Sequence, residues 1–422
     1  MAKPKLALIP AAQGSKFYSV LPSSGVGDFT FSRSGSATRI NSQGLIETVG
    51  NGVSRLNYPM IDGVVSGCPH HILEPSRSNL ATYSEDFSQG WNKNNSTVTT
   101  NQTTSPSGDL TADKFISDDT NQPRVERAFA VPSSDTTYTF SVFVKKINTR
   151  YIALSRFSGG EGAIFDLDTK SVVSSSAENA SIKEMSNGWF RISITQTVLS
   201  TDSFNIWKIN GTNGYSIGTG IVGDETFIWG AMLEQGSYAT SYIPTNGSAV
   251  TRSAETANGS GDASTFNNSE GVLMAEISSL TNNNPLFNSL SIASGTTNVL
   301  SIGFSDSLNE LYVFKTNGSS SWFKEVLVND ITNFNKIALS YESNDNQFWI
   351  NGFKIETNNS IGIHPSAMSD MDFNAAVGNE FMYSNTKQLQ YFDSALTDSE
   401  LETLTSWTSF SDMAEGQLYT IE

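Results

Sequence analysis

Carboxylates, histidines and tryptophans are the side chains through which this chain could act, and their spacing limits what they could do. Glycoside cleavage needs two carboxyl groups about 5–10 Å apart across the scissile bond. On a strand that asks for acids at i, i+2 or i+4 on one face. Asp166 and Asp168 have that spacing, but the Thr169-Lys170 turn after them explains both as the polar end of a strand. There is no Glu-x-Asp-x-x-Glu cluster, no Gly-x-Ser-x-Gly nucleophile elbow between a strand and a helix, and no P-loop. No catalytic residue is assigned.

Binding offers more. Calcium takes six to eight oxygen ligands, and Asp118-Asp119, Asn344-Asp345-Asn346 and Asp370-Met371-Asp372 are clusters that could supply them. Asp345, Asp370 and Asp372 are therefore candidate ligands for a structural calcium, with ordinary polar turns as the plainer reading; no other cofactor is implied. His70 and His71 are adjacent, so on an extended chain they point to opposite sides, which suits packing or solvent better than a transition metal. Cys68 is the single cysteine, which excludes an intrachain disulfide and a cysteine-based zinc site. Aromatic faces stack on the C–H faces of sugars while a few polar groups fix orientation. Trp91, Trp207 and Trp322 lie in polar surroundings and are the candidates for that role, with partial burial as the alternative. Trp189, Trp229 and Trp349 sit in apolar, strand-like runs and read as core.

Charge narrows the partners. The first eighty residues carry seven Lys/Arg against four Asp/Glu, a net of +3, which leaves −20 for the rest of a chain whose total is −17. Such acidity argues against nucleic acid, where Lys and Arg must neutralise phosphates, and against anionic membrane surfaces. The run Leu6-Ala7-Leu8-Ile9 stops at Pro10, too short for a signal-peptide core or a membrane span. Work outside a cell would then require release by lysis.

The elements that would position these groups read as β. A length of 422 residues is two to three domains. Tyr138–Val144, Trp189–Thr195, Thr226–Trp229, Gly271–Ile277, Lys336–Tyr341 and Phe348–Ile355 have the β-branched and aromatic enrichment of strands. Asn351-Gly352 between two apolar runs is a strong hairpin signal, because both turn positions need positive φ. One helix is expected near the C-terminus, opened by Thr397-Asp398-Ser399-Glu400 as a capping box and docked through Leu401, Leu404 and Trp407. Residues 1–80 are rich in Gly, Ser and Pro, lack an evident core of their own, and are expected to be ordered by another subunit. Residues 254–270 read as a small, polar linker. The expected fold is all-β: two antiparallel β-sandwich domains, jelly-roll or concanavalin-like, over 81–253 and 271–422, behind a loop-rich N-terminal segment.

Three stretches carry a resemblance to proteins of tailed bacteriophages. Ser36–Asn41 with Gly44–Glu47, Arg55–Tyr58 and Leu73–Leu80 resembles the N-terminal region of phage fibre and spike proteins. Tyr83–Ser88 with Trp91, closing on Trp229–Gly236 and Ser241–Thr245, is similar to a carbohydrate-binding-module-like sandwich. Phe348–Gly352 with Gln390–Phe392 and Ala395–Leu401 looks like a concanavalin A-like, laminin-G-like lectin domain. The resemblance implies a non-enzymatic virion structural protein exposed as a head or tail fibre, often homo-oligomeric, a trimer included, and adhering to host-surface polysaccharide. Residues 1–80 would then attach to other virion proteins, with Arg39, Arg55 and Arg77 facing an acidic partner. The rivals are a capsid-stabilising decoration protein, a polysaccharide depolymerase and a cellular secreted lectin.

Overall fold

The computed structural model describes residues 3–129, 136–156, 160–198, 202–211, 219–284, 286–375 and 380–407. Antiparallel sheets make up nearly all of it. Two six-stranded sheets form the first sandwich. One runs in the order Asn92–Asn94, Arg124–Phe129, Asp202–Ile209, Tyr151–Arg156, Gly162–Asp166 and Ser171–Ser175. The other runs Ser96–Thr103, Ala112–Ser117, Glu225–Gln235, Thr136–Lys146, Trp189–Val198 and Asn179–Glu184.

The strand Thr136–Lys146 shows why its sequence is apolar without alternating. Phe140, Val142 and Val144 enter the core between the two sheets. Phe143 points the other way, into a second cluster with Trp189, Trp229, Met232 and Tyr242. Ile46 from the N-terminal segment joins that cluster, so this sheet is covered on both faces.

A five-stranded sheet, in the order Ser321–Leu327, Glu310–Thr316, Asn298–Phe304, Asn288–Ser294 and Asp370–Asp372, forms one layer of the second sandwich. The facing sheet has eleven strands, and many of them come from the start of the chain. Its main path is Thr256–Asn258, Phe29–Ser32, Lys16–Leu21, Leu6–Gln13, Ser384–Phe392, Gly271–Ser279, Asn335–Glu342, Asp345–Ile350 and Phe353–Asn358. Leu56–Asn57 and His70–Ile72 attach beside Ser384–Phe392. Leu6, Leu8, Phe17, Phe29, Phe31 and Leu73 share one core with Leu273, Ile277, Leu290 and Ile302.

The first eighty residues therefore find their order on this chain's own C-terminal sheet, where a second subunit was expected to supply it. The linker expectation changes too. Thr256–Asn258 pairs with Phe29–Ser32, and Phe266 belongs to the core of the second sandwich. The physical reason is range: Leu8 pairs with Leu389, and nothing local to either residue signals that contact.

A buried ion cluster ties these parts together. Arg55 donates to Glu255 Oε1 at 2.8 Å and to Glu74 Oε2 at 2.8 Å, and also bonds Glu255 Oε2. Arg33 reaches Glu255 at 2.7 Å and Arg252 reaches Glu74 at 2.9 Å. Burial alone would raise Glu74, but Arg252 and Arg55 overrule it and hold the carboxyl down at about 2.

The C-terminal helix forms as the sequence predicts. It spans Asp398–Thr405, with Thr397 Oγ1 accepting from the Glu400 amide at 3.3 Å and Glu400 Oε2 accepting from the Thr397 amide at 3.1 Å. Leu401 and Leu404 pack on Val272, Met274 and Trp349, the outer face of the large sheet. At the predicted hairpin, Asn351 and Gly352 have φ of 48° and 87°. A Cβ on Gly352 would come within 2.5 Å of Ser406 Oγ beside the helix end, so the turn is tight in space as well as in torsion.

Candidate functional site

None of the three sugar-facing tryptophans is at the surface. Trp91 is 3% exposed, packs on Phe87 at 5.0 Å between ring centroids, and donates its indole N–H to the Tyr83 carbonyl at 3.0 Å. Trp207 donates to Ser155 Oγ at 2.7 Å beneath the Arg124 guanidinium. Trp322 lies in the core of the second sandwich and donates to Glu356 Oε1 at 3.0 Å. Each indole N–H has a polar partner, so polar sequence surroundings accompany burial in all three cases. Trp189, Trp229 and Trp349 are also buried.

The candidate acids come in twos at most, Asp345 beside Glu342 and Asp370 beside Asp372. Asp345 opens a strand opposite Glu342. Asp370 accepts from Ser369 Oγ at 2.5 Å, and Asp372 accepts from the Gly259 amide at 2.6 Å. Among the described residues no three His, Cys, Asp or Glu side chains gather as a metal-holding group, so Asp345, Asp370 and Asp372 are not brought together as a calcium site. Asp166 is clasped by Arg150 at 2.8 Å, and that bond holds its carboxyl at about 2. Asp168 bonds Lys146. The sequence does contain a Gly-x-Ser-x-Gly spacing, at 214–218, and those residues lie outside the described ones.

The three arginines expected to meet an acidic partner are engaged within the chain. Arg39 pairs with Glu47 across a hairpin at 3.1 Å. Arg55 is fully buried in the ion cluster. Arg77 lies 3.8 Å from Glu234 and over the Tyr238 ring. Arg55 in particular has no face left for another protein.

Two other places have the form of binding sites. The first is on the outward face of the five-stranded sheet. Strand alternation sends Leu300, Ile302, Leu311, Val313 and Trp322 into the core. Ser301, Tyr312, Phe314 and Phe323 therefore face outward. Together with Phe287, Ser289 and Glu380 they line a hollow of about 330 Å³. The rings of Phe287, Tyr312 and Phe323 have centroids 5.3–5.8 Å apart, a three-ring cluster. Phe323 is 46% exposed, so an aromatic edge is available to a ligand beside serine hydroxyls and one carboxylate. The signal for this site was parity: if Trp322 points inward, Phe323 must point outward.

The second is a cavity of about 340 Å³ where the N-terminal segment, the first sandwich and the second sandwich meet. Asn57 Oδ1 accepts from the Ile40 amide at 2.8 Å, which leaves its Nδ2 to donate to His70 Nε2 at 3.2 Å. That bond places the imidazole proton on Nδ1. Burial and the nearby Lys387 and Lys183 push His70 down to about 3, so the ring is neutral. Arg191 donates to the Thr240 carbonyl at 2.6 Å and to Ser141 Oγ at 2.9 Å, and lies over the Phe143 ring. Opposite Arg191 across the sheet, Lys183 faces the cavity.

Comparison with known proteins adds little to these sites. No family model matches the chain, and no curated protein matches it. Among solved structures, a Ruminococcus gnavus IT-sialidase carbohydrate-binding module bound to α2,3-sialyllactose aligns at 15% identity over 34% of this chain and 86% of that one, with a TM-score of 0.30. Domain 4 of the Geobacillus stearothermophilus arabinanase AbnA, in complex with arabinotriose, aligns at 12% identity over 40% of this chain and 81% of that one, with a TM-score of 0.30. Mouse laminin α1 domains LG4–5 align at 9% identity over 66% of this chain and 89% of that one, with a TM-score of 0.24. Likeness at this level carries no inference about ligands, and the all-β sandwich assignment rests on the sheets described above.

Proposed function

We propose that this chain is a non-catalytic, glycan-adhering protein displayed on the surface of a tailed-phage virion, as a head or tail appendage. The observation that carries the adhesive part is the ring cluster of Phe287, Tyr312 and Phe323 beside Ser289, Ser301 and Glu380 on an outward sheet face. Such a surface offers ring edges and faces to the C–H side of a pyranose and polar groups to its hydroxyls. The virion part is supported by the sequence resemblance of Ser36–Asn41, Arg55–Tyr58 and Leu73–Leu80. One shallow site binds weakly, and repetition on a particle converts weak contacts into avidity.

The test is a glycan array probed with the full chain presented multivalently, next to the same chain carrying Phe323→Ala. Retention of a defined set of neutral glycans is expected, with the variant weakened by up to about tenfold per site, the scale of one aromatic contact. If the wild-type chain retains no glycan, or Phe323→Ala binds as well as wild type, the adhesive reading fails. Loss of host adsorption from otherwise intact particles lacking the chain is the matching result for the virion reading.

A further inference from the structure

The cavity between the N-terminal segment and the two sandwiches is separate from the ring cluster and has a different chemistry. The chain has 42 Asp and Glu against 25 Lys and Arg, so most of its cations can find a carboxylate. Two cations face this one hollow with no carboxylate bonded to either. Arg191 spends its hydrogen bonds on Thr240, Ser141 and Met232 Sδ, its Nε has no partner, and Glu234 and Glu74 act on it only through space. Lys183 is exposed and pairs with no carboxylate among the described residues. The other charged groups in the wall are already satisfied: Arg39 pairs with Glu47, while Glu74 is held by Arg55, Arg252 and Ser241.

Lys183 and Arg191 face each other from paired strands, and an incoming anion would offset their mutual repulsion. The rest of the wall suits a small polar ring better than a bare ion. Tyr58 and Tyr238 supply aromatic surface, and Asn333 and Asn385 supply amides. The volume lies at the lower end of the roughly 300–1,000 Å³ common for small-molecule sites, which favours one or two sugar units over a long chain.

We propose that this cavity binds a sugar acid, a pyranose carrying a carboxylate as in a uronic acid, with the carboxylate on Lys183 and the ring against Tyr58. The site is assembled from all three parts of the chain and needs no contribution from the Phe323 face. Lys183 is the specificity residue, because it is what separates a uronate from the parent hexose that carries a neutral hydroxymethyl group at the same carbon.

The experiment is calorimetric or saturation-transfer titration of the full chain with glucuronate, with glucose, with methyl glucuronoside and with inorganic phosphate. Glucuronate is expected to bind, and glucose at equal concentration is not expected to displace it. Lys183→Met should weaken glucuronate by about tenfold or more, the scale of a lost charge-assisted hydrogen bond. Lys183→Arg should restore most of the affinity, Phe323→Ala should leave it unchanged, and the Lys183 variants should melt with the wild type. Methyl glucuronoside binding as well as the free acid identifies a residue within a polysaccharide as the source, whereas binding of the free acid alone identifies a soluble metabolite. Equal binding of glucose, glucuronate binding indifferent to Lys183→Met, or phosphate binding in place of glucuronate overturns the proposal.

Discussion

A buried histidine is a titratable group that this fold keeps neutral at a cost that appears in acid. His71 is 1% exposed and stacks on Phe17 with centroids 3.8 Å apart. Burial pushes His71 down to about 3, and burial with the nearby Lys315 pushes His364 down to about 4. For a base whose folded pKa lies below its unfolded value, the unfolded chain binds the extra proton. Stability is therefore complete above about 6.5 and falls as the pH drops towards the folded values, by roughly 1.4 kcal/mol per pH unit for each such histidine. Denaturation midpoints measured from pH 7 down to pH 4 should fall steadily. His71→Phe, which keeps an aromatic ring against Phe17, should flatten that slope, and an unchanged slope would show that His71 is not buried neutral. His70 and His71 read from sequence as packing or solvent-facing side chains, and both are packed. The tryptophans were read by their neighbours' polarity, which says where a backbone runs and little about where an indole points. Trp207 and Trp322 are buried, and their indole N–H groups are satisfied by Ser155 and Glu356, partners distant in sequence.

Strands and helices were legible wherever one segment carried its own signal. The capping box of Thr397 and Glu400, the Asn351-Gly352 turn and the apolar runs at Tyr138 and Lys336 all needed only local residues. The N-terminal strands were not legible as part of the second sandwich. Phe29–Ser32 has the right alternation, but it is four residues long and its partners are Lys16–Phe17 and Thr256–Asn258. The strand Leu6–Gln13 is the element that joins them to the C-terminal strand, because it pairs with Lys16–Leu21 on one side and Ser384–Phe392 on the other. Leu8→Ala should accordingly cost about 2–5 kcal/mol, as for a leucine lost from any well-packed core. Hydrogen exchange locates the effect: amides of Ser384–Phe392 should lose protection along with those of Leu6–Gln13. Protection loss confined to the first eighty residues would mean that these strands only rest against the sheet.

At the scale of the molecule the two sandwiches are unequal in what they need. Every residue of the first sandwich's inner core falls between Ala81 and Leu233, so both of its layers survive in a fragment spanning 81–253. The second sandwich takes Leu6, Leu8, Phe17, Phe29, Phe31, Leu73 and Phe266 from before residue 271. A fragment spanning 271–422 would expose the apolar face that these residues cover and would leave Ser384–Phe392 as an open edge, a template for unwanted pairing. The 81–253 fragment should therefore fold, giving a β-type circular dichroism spectrum and a cooperative melt. The 271–422 fragment should aggregate or remain unfolded, and co-expression with residues 3–80 should partly rescue it through the strands of the large sheet. The ion cluster adds to this inequality, because Glu255 precedes the second fragment and its partners Arg33 and Arg55 lie in the N-terminal segment. A soluble, cooperatively melting 271–422 fragment would show that the large sheet is complete without its N-terminal strands. It would also remove the reason for treating the cavity at their junction as a permanent feature of the chain.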